Sequence, residues 1–422
     1  MKLVAVTFGT EGDTRPIAML CSALRDAGHA AMLLAAEGTL QSARDLGVPH
    51  AALAGDIRDL FRTRAGDAAT GWGRVGVDAT AKALARVAND NIAAWMRQIL
   101  DRAAGCDAVI CSGLAAFAGF SAAEKLDIPA LGAGMIPLTP TAAFPSPFLP
   151  PRRVPRLLNR FSHRLVTRML WRAFRGATNR ARAEVCGLPS WRTVWSAHPM
   201  LYGISPSLLP RPAEWPPNAY ICGQWARPIR DWEAPAPLRA FLAAGEAPVY
   251  VGFGSMVRFD RRVILDAIVG AVGGRRTLFY PGWSGLPELR LPENFHVIGD
   301  TPHAWLFPRT ALVIHHGGSG TTHSAAAAGV PSVVLPFAAD QPFWAERLRL
   351  LGVAPAPLNG GGITARSLAR AIAAAGTAEM RARAAALGAR MASEDGLASA
   401  VATIESLVPD QARAGAPRHQ PV

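Results

Sequence analysis

The segment from Leu312 to Gln341 limits the possible folds of this chain more than any other. Leu312-Val313-Ile314 is a short apolar, β-prone run of the kind a buried parallel strand requires. His315-His316-Gly317-Gly318-Ser319-Gly320 reads as a turn, and Thr321 to Ala328 has the composition of a helix. Ser332 to Leu335 reads as the next strand. A glycine turn opening a helix presents free backbone N–H groups and the positive end of the helix dipole, which suits a phosphate. No Gly-Lys-Ser/Thr follows, so this is not a Walker loop, and the spacing is not G-x-G-x-x-G. The histidine, the glycines and Thr321 point instead to a diphosphate that leaves a sugar behind.

The same alternation recurs along the chain. Lys2–Phe8 reads as a strand, followed by a helix from about Arg15 to Ala27 and a strand near Ala30–Ala35. A long helical stretch, Val77 to Arg102, leads to a strand at Ala108–Cys111, and another helix-strand pair ends near Gly134. A second series begins at Pro248–Gly252 and continues through Thr277–Tyr280, Phe295–Ile298 and Leu312–Ile314. Such alternation predicts parallel sheets covered on both faces. The expected class is α/β, with two Rossmann-like domains facing a cleft. At 422 residues the chain exceeds the usual single-domain size, which agrees. We place an N-terminal domain at 1–230, a C-terminal domain at 231–408 whose last helix, Gly396–Leu407, could cross back, and a disordered tail at 409–422. Pro228 to Pro237 is the linker candidate, and proline-rich 139–155 is expected to be a flexible loop.

Five stretches carry a family resemblance: Gly9-Thr10-Glu11-Gly12-Asp13-Thr14-Arg15-Pro16, Leu201-Tyr202-Gly203-Ile204-Ser205-Pro206, Val249 to Met256, His315 to Thr321, and Asp340-Gln341-Pro342-Phe343-Trp344. In order and rough spacing they resemble nucleotide-sugar-dependent glycosyltransferases of the GT-B fold. The branch they look like contains the sterol and lipid glucosyltransferases and the enzymes that glycosylate glycopeptide antibiotics. The resemblance implies an N-terminal acceptor domain and a C-terminal domain for the nucleotide-sugar. It implies that His316 bonds the diphosphate, with Gly318, Ser319, Gly320 and Thr321 supplying backbone and hydroxyl donors. Gly254 and Ser255 would face the phosphates from the other side, and Gly12, in the facing N-terminal turn, would also contact the donor. Asp340 and Gln341 would hold the sugar hydroxyls, a suitable pair for a neutral polyol. The Thr301-Pro302-His303 turn resembles the segment whose backbone reads the uracil edge. One departure stands out: many relatives place a glutamate for the ribose eight residues after the phosphate histidine, where this chain has Ser324. UDP is then less firmly indicated over dTDP.

Asp13 is the candidate base. It follows a buried-type strand, at the edge where α/β sheets place ligands, and would take the proton of the acceptor hydroxyl. The competing reading is a helix cap that needs no chemistry, and one residue can be both. The branch resembled carries an aspartate here where many relatives carry a histidine. His315 and His323 read as structural. No Asp-x-Asp pair follows a strand, and the leaving group has a helix terminus to meet it, so the expectation is no metal and no cofactor beyond the co-substrate.

The formal charge is +13, nearly all from arginine, since Lys2, Lys82 and Lys125 are the only lysines. No zinc finger, helix-turn-helix or RNP-type strand accompanies it, so nucleic acid is not an expected partner. The charge is better localised. Arg156, Arg160, Arg164, Arg168 and Arg172 recur at every fourth position, interleaved with Leu157, Phe161, Leu165, Met169 and Leu170. That pattern reads either as a solvated helix on the N-terminal domain or as a membrane-surface helix with Trp171 or Phe174 at the boundary. No apolar run reaches the roughly 18 residues needed to span a bilayer. The five cysteines form no metal or disulfide pattern and read as reduced thiols of a cytoplasmic protein, which could still be peripheral on the membrane's inner face.

The expected function is inverting O-glycosyl transfer of a hexose, glucose from UDP-glucose foremost, to a hydroxyl on a hydrophobic acceptor such as a sterol, hopanoid, carotenoid or glycolipid. The alternatives are a natural-product glycosyltransferase using a UDP- or dTDP-sugar, a nucleotide-sugar 2-epimerase, and a catalytically idle partner protein.

Overall fold

Strand β1 (Lys2–Val6) shows why the first sheet is parallel: after Lys2, every residue is buried on one face or the other. The computed structural model describes residues 1–55, 77–193, 197–227, 232–254, 261–282, 291–358 and 363–408. The linker residues 228–231, Ser255 and the 409–422 tail lie outside them. The first sheet holds β1, β2 (Ala30–Ala36), β3 (His50–Leu53), β4 (Ala108–Cys111), β5 (Ala130–Gly134), β6 (Met200–Tyr202) and β7 (Ala219–Ile221). Their order is β3-β2-β1-β4-β5-β6-β7, and every neighbouring pair is parallel. The second sheet holds β8 (Val249–Gly252), β9 (Thr277–Tyr280), β10 (Phe295–Val297), β11 (Leu312–His315) and β12 (Ser332–Val334). Its order is β10-β9-β8-β11-β12, again all parallel. The expected α/β class with two Rossmann-like domains is therefore what the chain adopts. Both sheets reverse direction beside their first strand, at β1/β4 and β8/β11, and such switch points open crevices at the strands' carboxyl ends.

Several local expectations change. The first helix begins at Glu11, four residues before the predicted Arg15, because extended Thr10 caps it. Asp13 is thus inside the first turn rather than ahead of the helix. The 139–155 loop is fastened rather than flexible: Thr141 Oγ1 and the Ala142 amide both donate to Glu214 (2.5 and 2.8 Å), and Asn159 Nδ2 donates to the Ala142 carbonyl (2.9 Å). In the basic helix, Asn159–Ala181, Trp171 and Phe174 are 5% and 7% exposed, so neither can lie at a membrane boundary. Both pack inward, where their rings meet Phe117 at 5.4 and 5.7 Å.

The Gly396–Leu407 helix returns to the first domain, where Leu397, Ala400, Val401 and Ile404 join the core of Leu3, Ile17 and Leu24. Gly396 permits this approach, since a Cβ there would stand 2.3 Å from the Gln224 carbonyl oxygen. A mixed apolar cluster of Phe144, Tyr202, Ile204 and Trp215 with Phe343 and Trp344 closes the other side of the seam. No described helix is long and apolar enough to cross a membrane, and the five cysteines are free thiols.

Candidate active site

Asp13 is held by the turn that precedes its helix. The Thr10 amide donates to Asp13 Oδ2 at 2.8 Å and the Thr10 hydroxyl donates to the same oxygen at 3.1 Å. Burial raises the carboxyl's pKa above its ordinary value, and the two Thr10 bonds oppose the rise. Gly12 sits exposed in the same turn. A Cβ there would be in ordinary contact, 3.6 Å from Thr10 Oγ1. Glu11 turns away to Arg15 (3.1 Å) and the Ser42 hydroxyl. Arg15 also reaches Asp300 of the second domain at 3.7 Å, a link that no local sequence signal announced.

His316 ends up directly after β11 at the switch point, between two glycines. A Cβ at Gly254 would stand 3.2 Å from its Cε1, and one at Gly318 would stand 2.5 Å from its Nε2. Gly254 also has φ +59°, so both geometry and space favour glycine there. Burial lowers the His316 pKa to about 4, so the ring is neutral at physiological pH, and its Nδ1 is buried without a partner among the described residues. Gly317 (φ +89°) turns the chain where a Cβ would lie 2.8 Å from Val334. The Ser319–Ala327 helix starts at Gly318 with no side-chain cap. Its first-turn amides are therefore left for another acceptor. Gly320 borders open space, while Thr321 is half-buried.

The Ser319 hydroxyl points elsewhere and donates to the Met135 carbonyl at 3.2 Å, joining the two domains. His323 and His315, expected to be structural, both bond backbone groups. His323 Nδ1 donates to the Ser319 carbonyl (2.8 Å) and its Nε2 accepts the Ser205 amide (3.2 Å). His315 Nδ1 accepts the Gly317 amide at 3.1 Å.

Asp340 immediately precedes the Gln341–Leu350 helix, and its side chain accepts Trp344 Nε1 at 2.8 Å instead of capping the helix amides. The residue before it, Ala339, has φ +55°, an uncommon conformation for a side chain with a Cβ. Burial is the main cause raising Asp340's pKa to about 6; the Trp344 bond lowers it, and the Asp13 charge adds a smaller rise. The two carboxylates thus share one electrostatic neighbourhood across the cleft. Gln341 is nearly buried, and its Oε1 accepts the Phe337 and Ala338 amides at 2.8 and 3.1 Å.

Thr301 and His303 line a shallow open pocket with Tyr250, Tyr280, Gly299 and Asp300. The His303 ring stacks on Phe307 at 4.3 Å, and burial lowers its pKa to about 3. Thr301 Oγ1 donates to the Gly299 carbonyl at 3.0 Å. The two tyrosines were not singled out from the sequence, because they belong to strands that read as core.

Two doubly wound domains meet with Asp13 close enough to Asp340 for their charges to interact, and the second domain carries the helix start at Gly318 that no side chain caps. Residues 284–407 match the family model for the C-terminal domain of erythromycin biosynthesis protein CIII-like proteins. The chain is 33% identical over 421 residues to O-mycaminosyltylonolide 6-deoxyallosyltransferase of Streptomyces fradiae, covering 96% of this chain and 97% of that one. It is 30% identical over 432 residues to a sterol 3-beta-glucosyltransferase of Aspergillus fumigatus, covering 96% of this chain but 30% of that longer protein. Among solved structures, the glycotransferase of kitacinnamycin aligns over 97% of this chain and 99% of its own, with TM-score 0.71 and 17% identity. The glycosyltransferase VinC in complex with dTDP aligns over 97% and 99%, with TM-score 0.67 and 18% identity. The chain belongs to the GT-B glycosyltransferases and is a transferase enzyme. The epimerase alternative finds no support in these comparisons.

Proposed function

We propose that the enzyme transfers a hexose, with inversion, from a pyrimidine nucleoside diphosphate-sugar to a hydroxyl on a hydrophobic acceptor. The supporting observation is the uncapped start of the Ser319–Ala327 helix beside neutral His316, in a cleft whose other wall carries Asp13. The acceptor oxygen attacks the anomeric carbon as its proton passes to Asp13, and the bond from that carbon to the diphosphate breaks. Charge growing on the leaving diphosphate is met by the amides of Ser319, Gly320 and Thr321, the Thr321 hydroxyl and a His316 N–H. In this reading these groups take the role a metal plays elsewhere, and no metal is invoked. Asp340 accepts from sugar hydroxyls. Gln341 contributes by holding the 337–338 turn through its Oε1.

Glucose from UDP-glucose remains the leading donor. The dTDP bound to VinC and the Ser324 departure both favour testing dTDP-sugars beside it. Relatives named for a sterol and for O-mycaminosyltylonolide support a hydrophobic, hydroxyl-bearing acceptor, either a membrane lipid or a polyketide. A mass-spectrometric screen of sterol, hopanoid, carotenoid and polyketide acceptors against UDP-, dTDP- and GDP-sugars tests this. A glycoside formed with a pyrimidine donor is the expected product. Failure of every pair, together with no calorimetric binding of UDP or dTDP, would overturn the reading in favour of an idle partner protein.

A further inference from the structure

From Ile128 to Ala183 the chain contains ten arginines and no acidic residue. Of the ten, only Arg182 forms an ion pair among the described residues, with Glu124 at 2.9 Å. The Asn159–Ala181 helix divides this segment into two faces. Asn159, Ser162, His163, Val166, Phe174, Ala177 and Ala181 turn inward and are buried. Arg160, Arg164, Arg168, Arg172 and Arg175 are all exposed. Among them stand large apolar side chains: Leu157 is 84% exposed, Phe161 58%, Leu165 42% and Met169 63%. At 100° per residue, Phe161, Leu165, Arg168 and Arg172 share the centre of the outward face. Burying this surface requires a partner that is anionic at its rim and apolar beneath. A second copy docked about a two-fold axis would set these arginines against the same arginines.

We infer that this outward face, with Leu157 ahead of it, docks the protein onto an anionic lipid bilayer. The arginines meet lipid phosphates while Leu157, Phe161, Leu165 and Met169 enter the headgroup–acyl boundary. The opposite, inward side of the same helix packs toward the second domain. Ser162 Oγ accepts the Ser146 amide at 2.8 Å, and the Phe144 ring lies 5.8 Å from His163 and 5.2 Å from Phe343. Phe343 is three residues after Asp340, on the helix that Asp340 precedes. The inward side of the basic helix thus packs one aromatic ring from that helix, so a bilayer held on its outward side is separated from the second domain by the basic helix and the Phe144 ring. The inference goes beyond the proposed transfer and does not depend on it.

Flotation of the full-length protein with phosphatidylcholine vesicles, with and without phosphatidylglycerol, is the test. Binding is expected only with phosphatidylglycerol, and it falls as salt is raised. Each Arg→Ala change at 164, 168 or 172 should lower the partition coefficient about fivefold. Phe161→Ser combined with Met169→Ser should abolish most of the binding while leaving the circular dichroism spectrum unchanged. Overturning results would be no flotation with phosphatidylglycerol, variants that float like wild type, or a dimer in light scattering that these variants dissolve. A protein that floats but binds no UDP or dTDP leaves the docking face standing and removes only the donor-site reading.

Discussion

Gly9 makes room for Asp13: a Cβ at residue 9 would stand 2.3 Å from Asp13 Oδ2 and 2.9 Å from its Cβ. The carboxylate position therefore depends on a missing side chain one turn earlier. Gly9→Ala should shift Asp13 and lower kcat/KM by about a hundredfold, since small misplacement of a reacting group is costly. Nucleotide affinity should stay at the wild-type value. Steady-state kinetics beside calorimetry separate the two, and an unchanged kcat/KM would show that this placement is not needed.

His316 is neutral because burial holds its pKa near 4. It would thus act on a diphosphate as a hydrogen-bond donor rather than as a cation. His316→Ala should weaken UDP or dTDP binding by about 1.5–3 kcal/mol, the range for bonds to charged groups. For the wild type, the contribution of the imidazole should be flat from neutral pH down to about pH 5. Affinity that climbs steeply as pH drops through 6.5, and does so only when His316 is present, would mean that the ring binds as imidazolium.

Asp340 has a folded pKa of about 6, above its ordinary 3.8. The folded state then holds more protons than the unfolded one between those values, so stability falls as pH rises through that window. Asp340→Asn removes the buried charge and keeps an oxygen for Trp344 Nε1. The variant should melt higher than wild type at pH 7.5, with the gain shrinking toward pH 4. Thermal melts at the two pH values decide this, and a lower melting temperature at pH 7.5 would contradict the buried-charge account. Transfer should fall in the same variant, because the sugar loses an anionic acceptor.

His323 fastens the two domains through the Ser205 amide, and Ser205 in turn donates to Glu394 at 3.0 Å. His323→Ala leaves that amide buried and unmatched, which costs about 1–3 kcal/mol. Burial lowers the His323 pKa to about 4, below its unfolded value, so this contribution is full above pH 6.5 and is lost as pH falls toward 4. Denaturant melts of wild type and variant at pH 7.5 and 4.5 should converge at the lower pH. A gap that stays the same at both would show that His323 stabilises by packing alone.

What the sequence disclosed follows from how local each signal is. The glycine bend at 316–320 was legible because turn, helix start and phosphate geometry all lie within six residues. The strands flanking it were legible as unbroken apolar runs. By contrast β3, β6 and β7 went unassigned, because His50–Leu53, Met200–Tyr202 and Ala219–Ile221 hold only one β-branched residue, Ile221, between them. The early start of the first helix was missed because Thr10 caps it from inside a segment that read as a glycine turn. Trp171 and Phe174 were candidates for a membrane boundary by composition alone. Only tertiary packing onto Phe117 shows that they are core. The Arg15–Asp300 and Ser205–His323 links join residues more than a hundred positions apart, so no reading of neighbours could find them.

The central claim is that Asp13 takes a proton opposite a diphosphate held at the second domain's helix start. Its most direct test is Asp13→Asn, measured for nucleotide affinity and for transfer in the same preparation. The account predicts UDP or dTDP affinity equal to wild type and transfer reduced by about 10²–10⁴-fold, the usual worth of a general base. Transfer at the wild-type rate would contradict it.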